Sequence, residues 1–383
     1  MGLFEKIFKR QPQVYVNDGY FKTLTAYAPV FTSWGGRLYE SELVRSAIDT
    51  RARHISKLKV ETMGAGKPAL QNRIKQGPNE FMTWGQFLYR LSTILDMQNT
   101  AFIVPVYGVY NEINGFYPVL PSQCELVESG GEPWLRYTFT NGQTAAIKVT
   151  EVGIMTKFQY SDDFFGDDNH ALNDTLQLIY IQKQGVEEAI KNSATYRFMA
   201  QLSNFSKAED LVSERQRWSK ENLSADANGG GMLLFPNTYT NIKQLDSKNY
   251  TVDADQQKLI QNNIFNYYGV NEKALQNALV GDEWSAFYEG AVEPFSVQFS
   301  DVMTKLIFTE RERSSGSQLI ATANRLQYMS NSDKLQVSAQ MADRGLMTIN
   351  EIRDIWNLKP LEDGDRTIRR GEYKDDEVQN ETE

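Results

Sequence analysis

The order of elements in this protein follows from residues 253–308, DADQQKLIQNNIFNYYGVNEKALQNALVGDEWSAFYEGAVEPFSVQFSDVMTKLIF. Apolar residues recur every three or four positions from Leu259 to Tyr268, and this spacing predicts an amphipathic helix. Asp253 and Asp255 suit its N-terminus, because carboxylates stabilise the unpaired amides there. Gly269 is a typical residue for its end.

A second, longer helix is predicted after a polar loop at residues 271–282. Pro294 lies inside its apolar pattern, and proline removes an amide and clashes with the preceding turn, so we predict a helix kink at Pro294. The apolar pattern of this helix consists of Trp284, Phe287, Tyr288, Val292, Phe295, Phe299, Val302, Met303 and Leu306.

Composition limits the class of protein. A chain of 383 residues predicts two or more packed units, and 41% hydrophobic with 23% charged residues is typical of a folded protein. No apolar run reaches the roughly 18–20 residues that span a bilayer, so no membrane partner is expected. The single cysteine, Cys124, excludes an intrachain disulfide. A net charge of −9 argues against a protein that grips nucleic acid by its phosphates.

Two helix–strand pairs are predicted after an extended arm at residues 1–41. Ser41 is the expected N-cap of the first helix, and Thr83 that of the second. Beyond them, short β-like runs between residues 108 and 160 predict a small, mostly antiparallel sheet. The first helix is expected to turn three basic residues toward solvent: Arg45, Arg51 and Arg53.

The remaining chain is predicted to be mainly helical. Residues 173–202 indicate one long helix, and Ser206 with Glu209 forms a capping-box pattern in the small α/β module that follows. A helix pair is predicted around Gly345, with Thr348 as a cap. The charged end of the chain predicts a disordered tail.

The search for chemistry yields little. The two histidines lie outside any recognisable motif, and no nucleotide, zinc or hydrolase motif occurs, so we expect no enzyme, no metal and no cofactor.

One acidic loop resembles a metal site, but its spacing does not match a calcium loop, and a solvated turn is the favoured interpretation. Its residues are Asp162, Asp163, Asp167, Asp168 and His170.

Several motifs in order resemble the portal proteins of tailed bacteriophages, of the siphophage type. They are TWGQFLYRLSTILDMQNTAFIVPVYG, YYGVNEKAL, EWSAFYEGAVEPFSVQF and the C-terminal DRGLMTINEIRDIWNLKPLEDGD. The likeness extends from about Glu42 to Asp365. Asn271 stands where the family often has proline, and the acidic loop replaces a usual turn rich in histidine and glycine.

The resemblance implies an α+β portal fold with a wing, a long-helix stem, a small α/β clip, a kinked tunnel helix and a helical crown. The implied divisions are 1–41 N-terminal arm, 42–172 wing, 173–202 stem helix, 203–252 clip, 253–269 stem helix, 270–284 tunnel loop, 285–325 kinked helix and wing return, 326–361 crown, and 362–383 disordered acidic tail.

The resemblance also implies a function and partners. A homo-oligomeric ring, usually of twelve subunits, would lie at one capsid vertex of the virion, after assembly in the host cytoplasm. Double-stranded DNA would pass through it without sequence specificity. Its other partners would be the terminase large subunit, a head–tail adaptor, and the major capsid and scaffolding proteins.

Two sets of residues are candidate sites under this hypothesis. The channel lining is predicted to include Asn271, Glu272, Lys273, Gln276, Asn277, Asp282 and Glu283. Clip contacts to the motor, the adaptor or the neighbouring subunit are predicted at Arg215, Arg217, Trp218 and Lys220. Two alternatives stay open, namely another virion structural protein (a capsid or scaffolding protein) and a carboxylate-based hydrolase.

Overall fold

The computed structural model describes residues 22–23, 41–108, 112–138, 142, 144–193, 197–202, 208–222, 239–245, 254–323, 331–356 and 358–369. The chain divides into two compact units, one formed by Met1–Leu172 with Asn262–Glu383 and the other by Asn173–Gln261. Among the described helices, none combines the length and the apolar character that a bilayer crossing requires.

The first unit has a run of six consecutive strands, β3 to β8, and later a run of consecutive helices. The α-helices are α1 (Glu42–Ile55), α2 (Pro68–Gln76), α3 (Trp84–Gln98), α4 (Asn173–Ser193), α5 (Ala208–Asn222), α6 (Ala254–Tyr267), α7 (Glu272–Leu275), α8 (Asp282–Phe287), α9 (Glu293–Ile307), α10 (Glu310–Ser314), α11 (Asn331–Asp343) and α12 (Ile349–Ile355). The strands are β1 (Lys22–Thr23), β2 (Lys59–Met63), β3 (Thr100–Tyr107), β4 (Ile113–Val119), β5 (Cys124–Ser129), β6 (Glu132–Thr138), β7 (Thr144–Lys148), β8 (Gly153–Thr156), β9 (Arg197–Leu202), β10 (Tyr239–Leu245), β11 (Gln318–Thr322), β12 (Arg344–Thr348) and β13 (Thr367–Arg369).

Helices α1 and α3 begin where the sequence predicts. Thr83 forms a capping box with Gln86, whose amide donates to the threonine hydroxyl. Ser41 occupies the N-cap position of α1, but its side chain makes no capping hydrogen bond. Both helices bury an apolar stripe, which in α3 consists of Phe87, Leu88, Leu91, Ile94 and Leu95.

The predicted small sheet forms as two antiparallel sheets. One has the order β4-β3-β8, and the other has the order β1-β5-β6-β7. Strand β3 pairs with both of its neighbours, and packing above and below the sheet buries its side chains along most of its length. A shared apolar cluster joins the sheets through Phe102, Leu126, Leu135 and Phe165. Of the predicted N-terminal arm, residues 1–41, the described residues are Lys22–Thr23, which form strand β1, and Ser41.

Helix α9 supports strand β11 through a row of hydroxyl groups. β11 pairs with β2 in an antiparallel ladder, and its other edge faces α9. Thr304 Oγ1 donates to the Leu319 carbonyl (3.1 Å) and accepts from its amide (2.9 Å). Ser300 Oγ accepts from the Ala321 amide (2.9 Å), and Ser296 donates to the Ala321 carbonyl. Residues spaced four apart share one helix face, so these three hydroxyls complete the edge of the strand.

The second unit corrects the prediction of one helix over residues 173–202. Helix α4 ends at Ser193, and Arg197–Leu202 is strand β9, paired antiparallel with β10. The pairing partner lies about 40 residues away, so local helical periodicity did not reveal it. Helix α5 forms as predicted, whereas its expected cap Ser206 lies outside the described residues.

The C-terminal region also differs from the prediction. A strand, β12, stands where a turn at Gly345 was expected, and it pairs with Thr367–Arg369. The first part of the predicted disordered tail is therefore ordered by this pairing, while residues 370–383 lie outside the described part of the chain. Thr348 caps α12 through a capping box with Glu351, as predicted.

Candidate functional site

The YYGV motif ends helix α6. Gly269 has a φ of 68°, in the left-handed region that favours glycine. The amide of Val270 donates to the Phe265 carbonyl (2.9 Å), the long-range bond of a Schellman-type helix end. The chain therefore turns sharply at the predicted position and enters residues 270–284.

The predicted tunnel loop contains regular structure. Asn271 caps the one-turn helix α7, because its side chain accepts from the Ala274 amide at 2.8 Å. Residues from Asp282 onward already belong to α8. Lys273 forms an ion pair with Glu283, which joins the two sides of the segment. The prediction of a loop through residue 284 is thus corrected to two short helices joined by residues 276–281.

The seven predicted channel residues lie together on this segment. Six of them are exposed, and Glu283 is half-buried beneath its ion pair with Lys273. Gln276 donates to Glu272 at 3.2 Å, and Asn277 adopts a left-handed φ of 54°. The set carries three carboxylates and one lysine. Val280, which no sequence pattern indicated, lies between α7 and α8, and its side chain is 72% exposed.

The long helix predicted around Pro294 changes its hydrogen-bond pattern immediately before the proline. Residues Tyr288–Val292 form a π-helix, in which the Glu293 amide donates to the Tyr288 carbonyl five residues earlier. Pro294 lies in the first turn of α9, where its missing amide is tolerated. A π segment inserts one extra residue, so the side chains before it are rotated by about 100° relative to a continuous α-helix.

A buried ionic cluster lies beside this π segment. Asp96 is fully buried on α3, and its Oδ1 accepts from Arg51 on α1 and from Lys157 Nζ at 3.1 Å. Arg51 Nε also donates to the Ala291 carbonyl at 2.8 Å. Arg51 was expected to face solvent; that prediction is wrong, because two partners distant in sequence hold the guanidinium inside.

The tyrosines of the YYGV motif enclose the lysine of the cluster. Lys157 Nζ lies 5.3 Å from the ring centre of Tyr268 and 5.9 Å from that of Tyr267. Burial lowers the pKa of Lys157, although Asp96 opposes this effect. Burial also raises the pKa of Tyr267 to about 12. Tyr267 donates to Asn169 Oδ1 at 2.6 Å, which fixes its ring beside the start of the segment.

The four predicted clip residues lie on α5 but on two different faces. Arg215 and Trp218 are three residues apart and share one face, whereas Arg217 and Lys220 share another. Arg217 donates to Glu214 at 2.5 Å. Sequence analysis missed Leu211, an exposed apolar residue on the face of Arg215 and Trp218.

The C-terminal motif is a self-contained loop closed by Asn350. The Asn350 amide group donates to the Leu361 carbonyl (3.0 Å) and to Asp365 Oδ1 (2.7 Å), and it accepts from the Leu361 amide (2.8 Å). A side chain at Gly364 would overlap Asn350. Arg353 Nε donates to the Lys359 carbonyl at 2.8 Å. Asn350 and Arg353 therefore hold the loop together through hydrogen bonds, and Gly364 leaves room for the Asn350 side chain.

The acidic loop uses its carboxylates to close turns. Asp162 accepts from the amides of Phe164 (2.7 Å) and Phe165 (3.0 Å), and Asp168 accepts from the His170 amide (3.0 Å). Within the described residues, no three side chains of metal-binding type are grouped to hold an ion.

Comparison with known proteins decides the family. The model of the family described as "Phage portal protein" matches residues 42–357, which is most of the chain. The chain belongs to the phage portal protein family. It is a portal protein, the structural component of the capsid vertex in tailed phages. No curated protein matches the sequence.

Solved structures share the portal fold at low sequence identity. One is "Neck of native GTA particle computed with C12 symmetry"; it is 13% identical, with a TM-score of 0.59, and the match covers 87% of this chain and 96% of that chain. Another is "Virion of native gene transfer agent (GTA) particle"; it is 13% identical, with a TM-score of 0.54, and the match covers 85% of this chain and 92% of that chain. These matches support the predicted α+β portal fold.

Three features of this portal protein were missed from the sequence. They are the cluster of Arg51, Asp96 and Lys157, the hydroxyl row on α9, and the Asn350 loop. The four-residue spacing of Ser296, Ser300 and Thr304 was the one local signal available, and serine and threonine at that spacing are also compatible with a solvated helix face.

Proposed function

We propose that twelve copies of this portal protein form a ring-shaped channel at one vertex of the capsid. Double-stranded DNA would be packaged through this channel and later ejected through it. The observation that carries the proposal is the family match across residues 42–357. The C12 symmetry with which the similar neck structure was computed supports a twelvefold ring.

We propose that residues 270–284 form the tunnel loop that faces the DNA. The exposed Asn271, Glu272, Lys273, Gln276, Asn277 and Asp282, with Glu283 behind them, would line the bore. Carboxylates outnumber the lysine, and the lysine is paired with Glu283. Because tight phosphate binding requires free basic groups, this surface interacts weakly with the duplex and lets it slide.

The clip helix α5 is the proposed contact for partners outside the capsid. Arg215 and Trp218, together with Leu211, combine a cation, an aromatic ring and an apolar side chain on one helix face, a composition typical of binding hot spots. We assign this face to the terminase large subunit and later to the head–tail adaptor. Arg217 and Lys220, on the other face, are proposed to meet the neighbouring subunit.

The remaining proposals concern location and chemistry. The major capsid and scaffolding proteins are the proposed partners during assembly in the host cytoplasm, and the virion is the final location. We propose a purely structural protein without catalysis or cofactor, since the family to which the chain belongs is structural.

Negative-stain electron microscopy with native mass measurement on the same sample tests the ring. The expected result is a population of rings with a central hole and the mass of twelve chains. A sample that stays monomeric alone is mixed with the scaffolding and capsid proteins. A chain that remains monomeric in their presence would overturn the proposal.

A further inference from the structure

The loop segment, defined here as residues 270–290, belongs to the first unit, and its two ends lie at one place. Gly269 precedes it and Ala291 follows it, and a Cβ placed on Gly269 would be 3.7 Å from the Cβ of Ala291. The two ends therefore touch. Any group that holds both ends fixes the base from which the segment projects.

The ionic cluster contacts both ends. Arg51 Nε binds the carbonyl of Ala291 at the second end (2.8 Å), and Lys157 Nζ lies over the ring of Tyr268 (5.3 Å) next to the first end. Asp96 joins the two cations through one oxygen, Oδ1. We propose that Arg51, Asp96 and Lys157 act as a clamp that positions the loop segment.

The π-helix explains why the second end needs a clamp. Residues Tyr288–Val292 adopt the π register, which differs from an α-helical register by one residue. A change of register would rotate α8 and the segment before it by about 100°. The Ala291 carbonyl lies inside this π segment, so its bond to Arg51 selects one of the two registers.

The guanidinium group is suited to this position. Its fork presents Nε to the carbonyl and Nη1 to the carboxylate at the same time. An ammonium group concentrates its donors on one nitrogen. Arg51→Lys therefore keeps the charge beside Asp96 while removing the fixed bond to Ala291.

Hydrogen–deuterium exchange on the full-length protein tests the clamp. Arg51→Lys is expected to speed amide exchange in residues 270–293 at least about tenfold, with α1 and α3 unchanged, because the segment opens locally. Arg53→Lys is the matched control; Arg53 lies on the same helix, is exposed and pairs with Asp49 at 2.9 Å. It should change nothing in the segment.

Two results would overturn the proposal. One is an unchanged rate of amide exchange in the segment. The other is an equal increase in the exchange rate of the segment, α1 and α3, which would mean that Arg51 stabilises the whole core and not the segment. If Arg51→Lys fails to fold, Lys157→Met decides, since this side chain is 19% exposed. Lys157→Met should speed amide exchange next to Tyr268 and leave exchange in α1 and α3 unchanged. Unchanged exchange next to Tyr268 would reject the clamp.

The biological consequence rests on the proposed tunnel loop, and the two claims separate in one experiment. Packaging is measured with the same Arg51→Lys protein. A local increase in exchange together with altered packaging supports both claims. A local increase with normal packaging supports the clamp and rejects the tunnel-loop role of the segment.

Discussion

Arg51 and Asp96, 45 residues apart in sequence, form an ion pair in the interior of the first unit. The Asp96 side chain is inaccessible to solvent, and its second oxygen, Oδ2, has no hydrogen-bond partner in the described part of the chain. Charges are removed from water at a high cost, so the pair holds its elements together only while both partners are present.

Asp96→Ala should therefore destabilise the protein by about 3–5 kcal/mol, because it leaves Arg51 and Lys157 buried without their shared anion. Denaturant unfolding gives the value. The control is Asp363→Ala, which removes the exposed pair with Arg366 (3.4 Å) and should cost less than about 1 kcal/mol. Equal losses in the two variants would contradict the argument.

Ser300→Ala tests the hydroxyl row. The substitution leaves the Ala321 amide without its acceptor at the covered edge of β11, so a loss of about 1–3 kcal/mol is expected in denaturant unfolding. Ser285→Ala, at an exposed position on α8, is the matched substitution and should have almost no effect. If Ser300→Ala loses as little stability as Ser285→Ala, water must accept the hydrogen bond of the Ala321 amide in the variant.

His54 predicts a dependence of stability on pH. Its ring packs edge-on against Phe287, and burial, with Lys57 and Arg53 nearby, lowers its pKa from 6.5 to about 4. The folded state thus binds fewer protons than the unfolded state between these values. The contribution of His54 to the free energy of unfolding is therefore fully present above pH 6.5 and is lost as the pH falls toward 4.

His54→Gln isolates this effect from the carboxylates that titrate in the same range. The unfolding temperature of the unsubstituted protein, minus that of the variant, should fall between pH 7 and pH 4.5. A difference that is constant over this range would show that His54 has an ordinary pKa.

Lys273→Ala with Gln276→Ala tests the tunnel loop. The double variant removes the one lysine of the seven channel residues and the ion pair with Glu283. Altered packaging or DNA retention, with rings intact by electron microscopy, is expected. Lys305→Ala, at an exposed position on α9, should leave both readouts unchanged. No effect of the double variant would remove these residues from the mechanism.

Arg215→Glu tests the clip face. Charge reversal beside Trp218 should weaken terminase binding at least about tenfold, since charge repulsion at an interface costs more than a lost contact. Arg217→Glu, on the other face of the same helix, carries the same charge change; it should weaken ring assembly and leave terminase binding to the assembled rings intact. Equal binding by the two variants would contradict the assignment of faces.

Local patterns predicted much of this fold. The N-cap at Thr83, the glycine end of α6 and the cap at Thr348 depend on residues within a few positions, so they are visible in the sequence. The wrong predictions concern features that depend on contacts between residues distant in the sequence. Arg51 was misplaced because its partners lie 45 and 240 residues away. Strands β9 and β12 were missed because their pairing partners lie in other segments.

The candidate sites follow the same division. The predicted channel residues lie together because they are contiguous in the sequence, whereas the cluster of Arg51, Asp96 and Lys157 was missed because three segments supply it. The four clip residues were grouped by nearness in sequence, and helical geometry then separated them into two faces.

The hydroxyl row on α9 also has a consequence for assembly. A strand edge with open amides and carbonyls recruits foreign strands and leads to aggregation when many chains are crowded together. In β11 one edge is used by β2, and the bonds from Ser296, Ser300 and Thr304 occupy the other. Chains that gather at one site can therefore associate without adding a strand beside β11.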